Sequence, residues 1–87
     1  MAVRVEFYGI PRQRAGVATA NVVGTRLGEL IQELARQFPL FGRDCVADGC
    51  LQPGFTANLN GERFTSDPAT VICDSDVVLI MSLDAGG

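Results

Sequence analysis

The sequence predicts an α+β domain: a mixed four- or five-stranded sheet with one main helix packed across it. Three observations predict it. The N-terminus alternates strictly between apolar and polar residues, the middle carries one helical stripe of apolar residues, and a short run near the C-terminus is apolar on both faces.

Val3, Val5 and Phe7 alternate with Arg4, Glu6 and Tyr8. Successive side chains of a strand point to opposite faces, so this segment is a half-buried strand. Gly9, Ile10 and Pro11 break it, and a weaker strand follows over residues 16–23. Together they form an N-terminal hairpin with a long turn. Leu27, Leu30, Ile31, Leu34, Ala35 and Phe38 then recur at the spacing of one helical face. Thr25 is the expected N-cap, and Glu29 lies in the early helix, where the dipole favours an acid. Pro39 stops the helix, because the residue before a proline avoids helical backbone angles.

Gly42, Gly49 and Pro53–Gly54 punctuate residues 40–54, which read as a loop carrying one short turn of helix. Phe55–Leu59, Asn60–Gly61 and Glu62–Phe64 spell a hairpin, since Asn-Gly supplies the two positive-φ positions of a tight turn. Residues 65–75 are irregular, with a short strand around Thr70–Cys73. Val77–Met81, apolar on both faces, belongs in the middle of a sheet. The order strand, strand, helix, strand, strand, strand, with the central strand last, is that of a β-grasp domain, though order alone also fits other small α+β folds. Val3, Val5, Phe7, Leu30, Ile31, Leu34, Phe38, Leu59, Leu79 and Met81 are the expected core.

Eighty-seven residues make one domain, and 47% hydrophobic residues suit a folded chain. The net charge of −3 and the seven scattered Lys and Arg argue against nucleic-acid binding, which draws its affinity from clustered cations. Val77–Met81 is too short to cross a bilayer, and the alternating N-terminus is not a targeting signal. A soluble cytoplasmic protein is expected. The chain has no histidine, hence not the commonest general base or metal ligand. Cys45, Cys50 and Cys73 are odd in number and lack a CxxC spacing, so neither a disulfide framework nor a zinc site is expected.

The chain ends in Ala85, Gly86 and Gly87. Four features together resemble the ubiquitin-like sulfur-carrier family of the MoaD/ThiS type, closest to the small subunit of molybdopterin synthase. They are the helix opening Thr25–Leu30, the approach Asp48–Gly54 running into Phe55–Gly61, the final strand Asp76–Ile80, and the terminal glycine pair. Two departures concern the pathway rather than the fold: Ser82, Leu83 and Asp84 stand where molybdopterin synthase subunits commonly carry two prolines, and Ser75 replaces a glycine.

The resemblance implies a β-grasp domain over residues 1–83, a flexible tail over 84–87, and no catalysis by the chain itself. Gly87 would be the working residue. A ubiquitin-activating-enzyme-like adenylyltransferase (MoeB/ThiF type) would use ATP and Mg²⁺ to adenylate its carboxylate, and a sulfur donor would convert it to a thiocarboxylate. A synthase large subunit or its equivalent would then take the sulfur into a cofactor or metabolite. The chain itself would bind no cofactor, metal, nucleic acid or membrane. Gly86, lacking a Cβ, would let the tail thread a narrow channel. At about 3.3–3.6 Å per residue, Asp84–Gly87 can reach roughly 13–14 Å.

The long Asp48–Gly54 approach favours a molybdopterin-type carrier over one for thiamine thiazole or cysteine. A protein modifier conjugated through the same glycine is the alternative, and a binding module with an incidental tail is the third reading. Other chemistry-bearing groups have plainer explanations. Free cysteines are most often small buried hydrophobes rather than persulfide carriers, and Asp74 with Asp76 resembles a solvated turn more than a metal or acid–base pair.

Overall fold

The computed structural model describes residues 2–83. Ten elements follow in order: β1 (Ala2–Phe7), α1 (Ile10–Ala15), β2 (Thr19–Val23), α2 (Leu27–Gln37), α3 (Pro39–Cys45), β3 (Val46–Ala47), β4 (Cys50–Leu51), β5 (Phe55–Leu59), β6 (Arg63–Thr65) and β7 (Val77–Ser82). Five strands form one sheet in the order β2-β1-β7-β5-β6, and β3 with β4 makes a separate two-stranded ribbon. β7 runs parallel to β1, while all other neighbours are antiparallel. The last strand is therefore the central one, as its two apolar faces predict.

The apolar stripe of α2 packs across this sheet. Leu27, Leu30, Ile31 and Leu34 are fully buried against Val3, Val5 and Phe7 of β1 and Val78 and Ile80 of β7. Phe7 anchors the far end, edge-on to Phe41 at 5.4 Å and to Phe38 at 5.8 Å between ring centres, a favoured aromatic geometry. Leu79 and Met81 do not join this core. The register sets Val5 against Val78 and Phe7 against Ile80, so the even-numbered residues of β7 face α2. A strand apolar on both sides gives no internal sign of which face is inward; only its neighbours decide.

Two segments expected as irregular are helical. β1 does end ahead of Gly9–Pro11, but Pro11 also sits in the first turn of α1, where a missing N–H costs nothing and the fixed φ suits a helix. The long turn is thus a six-residue helix, and β2 begins only at Thr19. Pro39 does end α2, yet it also opens the seven-residue α3 from the same permissive position. Gly42 is no breaker. A Cβ there would lie 2.9 Å from the Ala35 Cβ and 3.1 Å from its backbone, so glycine allows α2 and α3 to touch. An ion pair from Arg14 of α1 to Asp44 of α3, at 2.6 Å, ties the two added helices together.

The N-cap of α2 is Arg26 rather than Thr25. Thr25 still serves the helix start from one residue earlier: its backbone N–H and hydroxyl both donate to the Glu29 carboxylate, at 2.7 and 3.1 Å. Asn60 and Gly61 both take positive φ, and Glu62 N–H closes the turn onto the Leu59 carbonyl at 2.9 Å. Around Thr70–Cys73 a single bridge, Arg26 to Val71, replaces the expected strand.

Candidate functional site at the end of the central strand

Gly86 and Gly87, with Asp84 and Ala85, lie outside the described residues. The structure places the point from which they continue. The C-terminal end of β7 is held from both sides. Tyr8 N–H donates to the Ile80 carbonyl at 2.9 Å on the β1 side, and Leu83 N–H donates to the Gly54 carbonyl at 2.8 Å on the β5 side. Phe55 is paired with Ser82. Backbone bonds hold the strand as far as Ile80 on the β1 side and Leu83 on the β5 side, and the chain leaves the described fold at Leu83, which is exposed.

Tyr8, Ile10 and Leu83 are all large and exposed, and Gly9 faces Ser82, whose buried hydroxyl has no partner among the described residues. Tyr8 is oriented by Glu6: its hydroxyl donates to the Glu6 carboxylate at 2.5 Å, and Arg4 Nε donates to the same carboxylate at 3.0 Å. The Tyr8 hydroxyl, then the Arg4 guanidinium, hold the Glu6 carboxyl below its usual range; Glu6 in turn raises Tyr8. These groups are open to water, so they order the surface without being activated for proton transfer.

On the face of the sheet away from α2, Leu79 and Met81 of β7 are half-buried and Phe64 of β6 is exposed, with Thr56 and Asn58 of β5 between them. The Asn58 side-chain oxygen is buried with no hydrogen-bond partner among the described residues. The sequence reads β7 as apolar on both faces, but it assigns Leu79 and Met81 to the core rather than to this second face. Its signal was present in the residues of Val77–Met81 left over once one face had been assigned to the core.

The remaining chemistry-bearing residues stay apart. Cys45 is buried and burial pushes its thiol pKa up, which keeps it protonated; Cys50 is half-buried and Cys73 exposed. Asp76 belongs to a turn, accepting from the Asn60 amide at 3.0 Å and from Cys73 N–H at 2.8 Å. Among the described residues, no group of three or more His, Cys, Asp or Glu side chains could hold a metal ion, and no helix is long and apolar enough to cross a membrane.

No protein-family model matches the chain, and no curated protein sequence does either. The likeness is to solved structures. SAMP1 from Haloferax volcanii superposes with a TM-score of 0.83 at 18% identity over 100% of both chains. CysO from Mycobacterium tuberculosis gives 0.71 at 29% identity over 92% of this chain and 97% of that one. CysO in the BexX/CysO complex of Amycolatopsis orientalis gives 0.80 at 20% identity over 99% of this chain and 100% of the other. All share the arrangement of helix and sheet described above.

Proposed function

We propose that this chain, a member of the ubiquitin-like family of the MoaD/ThiS type, is a sulfur-carrier protein whose reactive group is the α-carboxylate of Gly87. The observation that carries the proposal is the clasp on β7, by Tyr8 at Ile80 and by Gly54 at Leu83, a few residues ahead of the Gly86–Gly87 pair in sequence. A rigid central strand gives a slim terminal segment a fixed origin, so that docking the domain also aims the tail. Glycine at both last positions suits a segment that must pass through a narrow channel in another protein.

The chemistry then lies in partners. An adenylyltransferase binding ATP and Mg²⁺ joins the carboxylate to AMP and releases pyrophosphate. A persulfide sulfur attacks the acyl carbon, AMP leaves, and a thiol breaks the S–S bond of the acyl persulfide to leave the thiocarboxylate. A synthase-type partner holds the precursor that receives the sulfur. The Asp48–Gly54 approach favours a molybdopterin-type acceptor, and the likeness to CysO makes a different sulfur-containing metabolite the next reading. Carrying, rather than catalysing, is a role that a chain without histidine can fill.

SAMP1 is by name a small archaeal modifier protein, which supports a second reading: attachment of Gly87 to amines of target proteins. All seven basic residues here are arginines. A modifier with no lysine has no side-chain amine on which to build chains, so such tagging would add single copies.

The deciding experiment uses protein with Gly87 as its terminal residue, the adenylyltransferase, ATP, Mg²⁺ and a persulfide donor. Intact-mass spectrometry should show one oxygen exchanged for sulfur. An unchanged mass under conditions that convert a known carrier would end the carrier reading. Higher-mass conjugates in cell extracts, cleavable to release this chain, would establish the modifier reading instead.

A further inference from the structure

The two edges of the sheet are protected very differently. β6 is only three residues long and carries Arg63 beside Glu62. β2 lies at the centre of an eleven-residue run, Ala15 to Thr25, that contains no charge and no proline. Soluble proteins normally blunt an exposed edge with charges, prolines or shortness, because its unpaired backbone groups are a template for another strand.

The register shows which groups are unpaired. Phe7 N–H donates to the Ala18 carbonyl at 2.9 Å, and Phe7 lies opposite Ala18 by continuation of the β1–β2 register. Hydrogen-bonded pairs alternate along an antiparallel ladder, so Ala18, Ala20 and Val22 bond inward to β1. The backbone N–H and C=O groups of Thr19, Asn21 and Val23 point outward, and none of them is bonded among the described residues. Their side chains are exposed as well, and the Asn21 amide has no partner there.

We propose that this edge joins a second copy of the chain, β2 against β2 in antiparallel register about a two-fold axis at Asn21. Three facts fit a copy of itself. Thr19 and Val23 are equidistant from Asn21, so the axis sets each against the other, and both are β-branched residues that pack well across strands. The two Asn21 side chains meet at the axis, where an amide both donates and accepts. The three outward residues on each copy supply about six backbone hydrogen bonds, with no charge from either copy on the strands that meet. One sheet then runs through both copies. The C-terminal ends of the two β7 strands point in opposite directions along it, so both exits stay clear. A five-residue seam falls below the roughly 1,000 Å² of a stable interface, which makes the dimer weak and concentration-dependent.

The test is sedimentation velocity and amide chemical-shift mapping of the full chain, from tens of micromolar to about 1 mM. The mean mass should rise toward twice that of the monomer, with shifts concentrated at Thr19, Asn21 and Val23. Asn21→Lys, which sets two cations face to face, should weaken association by roughly fivefold. Its melting temperature should be unchanged, since the position is exposed. A monomer throughout overturns the proposal. So does association whose shifts fall on Phe64, Leu79 and Met81 instead; this map needs no variant and decides the matter even if Asn21→Lys fails to fold.

Discussion

Asn60 and Asp76, sixteen residues apart, are bound side chain to side chain at 3.0 Å, and the Asn60 side-chain oxygen also accepts from Val77 N–H at 2.8 Å. One asparagine thus forms the β5–β6 turn through its positive φ and fastens that turn to the first residue of the central strand. The Asn60 amide, followed by Cys73 N–H, holds the Asp76 carboxyl below its ordinary range. A group whose pKa is lower in the folded state stabilises the fold above the unfolded value, about 3.9 for Asp, and loses that contribution as pH falls through the folded value. Asp76→Asn should therefore melt below the parent protein at pH 7, and the gap should close as pH drops below about 4. Parallel melting curves across that range would refute the role given to Asp76.

Leu34 is fully buried where α2 crosses the sheet. Leu34→Ala should cost about 2–5 kcal/mol in denaturant unfolding, a large fraction of a small domain's stability. Loss of less than about 1 kcal/mol would mean that the helix packs elsewhere.

Gly42→Ala tests the contact between α2 and α3. Alanine is the better helix former by about 1 kcal/mol, so propensity alone predicts a gain. The added methyl meets the Ala35 backbone, which cannot swing aside, so a net loss of about 1–3 kcal/mol is expected. Increased stability would show the two helices free to separate.

Replacing each cysteine with serine separates packing from sulfur chemistry. Cys45→Ser puts a hydroxyl into the core and should cost about 1–3 kcal/mol, while Cys73→Ser should be nearly silent in melting. Conversion of the Gly87 carboxylate should survive all three single changes. Its loss in any variant that still folds would move the sulfur from the tail to that thiol.

The tail has its own prediction. Deleting Gly87 or adding a bulky residue after it should abolish thiocarboxylate formation with no change in melting, as should Gly86→Val with its β-branched side chain. Normal conversion of the truncated protein, read by mass, would show the glycine pair to be incidental.

The periodic elements were legible because each carries a single-sided signal. Val3, Val5 and Phe7 fix the inner face of β1, and Leu27 to Leu34 fix that of α2. β7 has no such asymmetry, so the pattern placed it in the sheet's middle but could not choose Val78 and Ile80 over Leu79 and Met81. What the prolines did not disclose is the element each opens: Pro11 lies in the first turn of α1, and Pro39, which ends α2 as read, also begins α3; a proline signals a break more plainly than the helix start behind it. For the site, the glycine pair is legible as composition. The clasp by Tyr8 and Gly54 is not, because backbone bonds between distant segments leave no trace in residue type.

The parallel pairing of β1 with β7 also bears on biosynthesis. β1 waits for β7, and Arg4 meets Val77 only after all of the intervening chain has been translated. Contacts so distant in sequence close slowly and late, so an interrupted translation product ending before β7 leaves β1 and β5 without their shared neighbour and their apolar faces open to proteases and chaperones. Completion of the sheet thus acts as a check on synthesis: a nascent chain becomes a compact domain only once it includes the strand that leads to its terminal glycines.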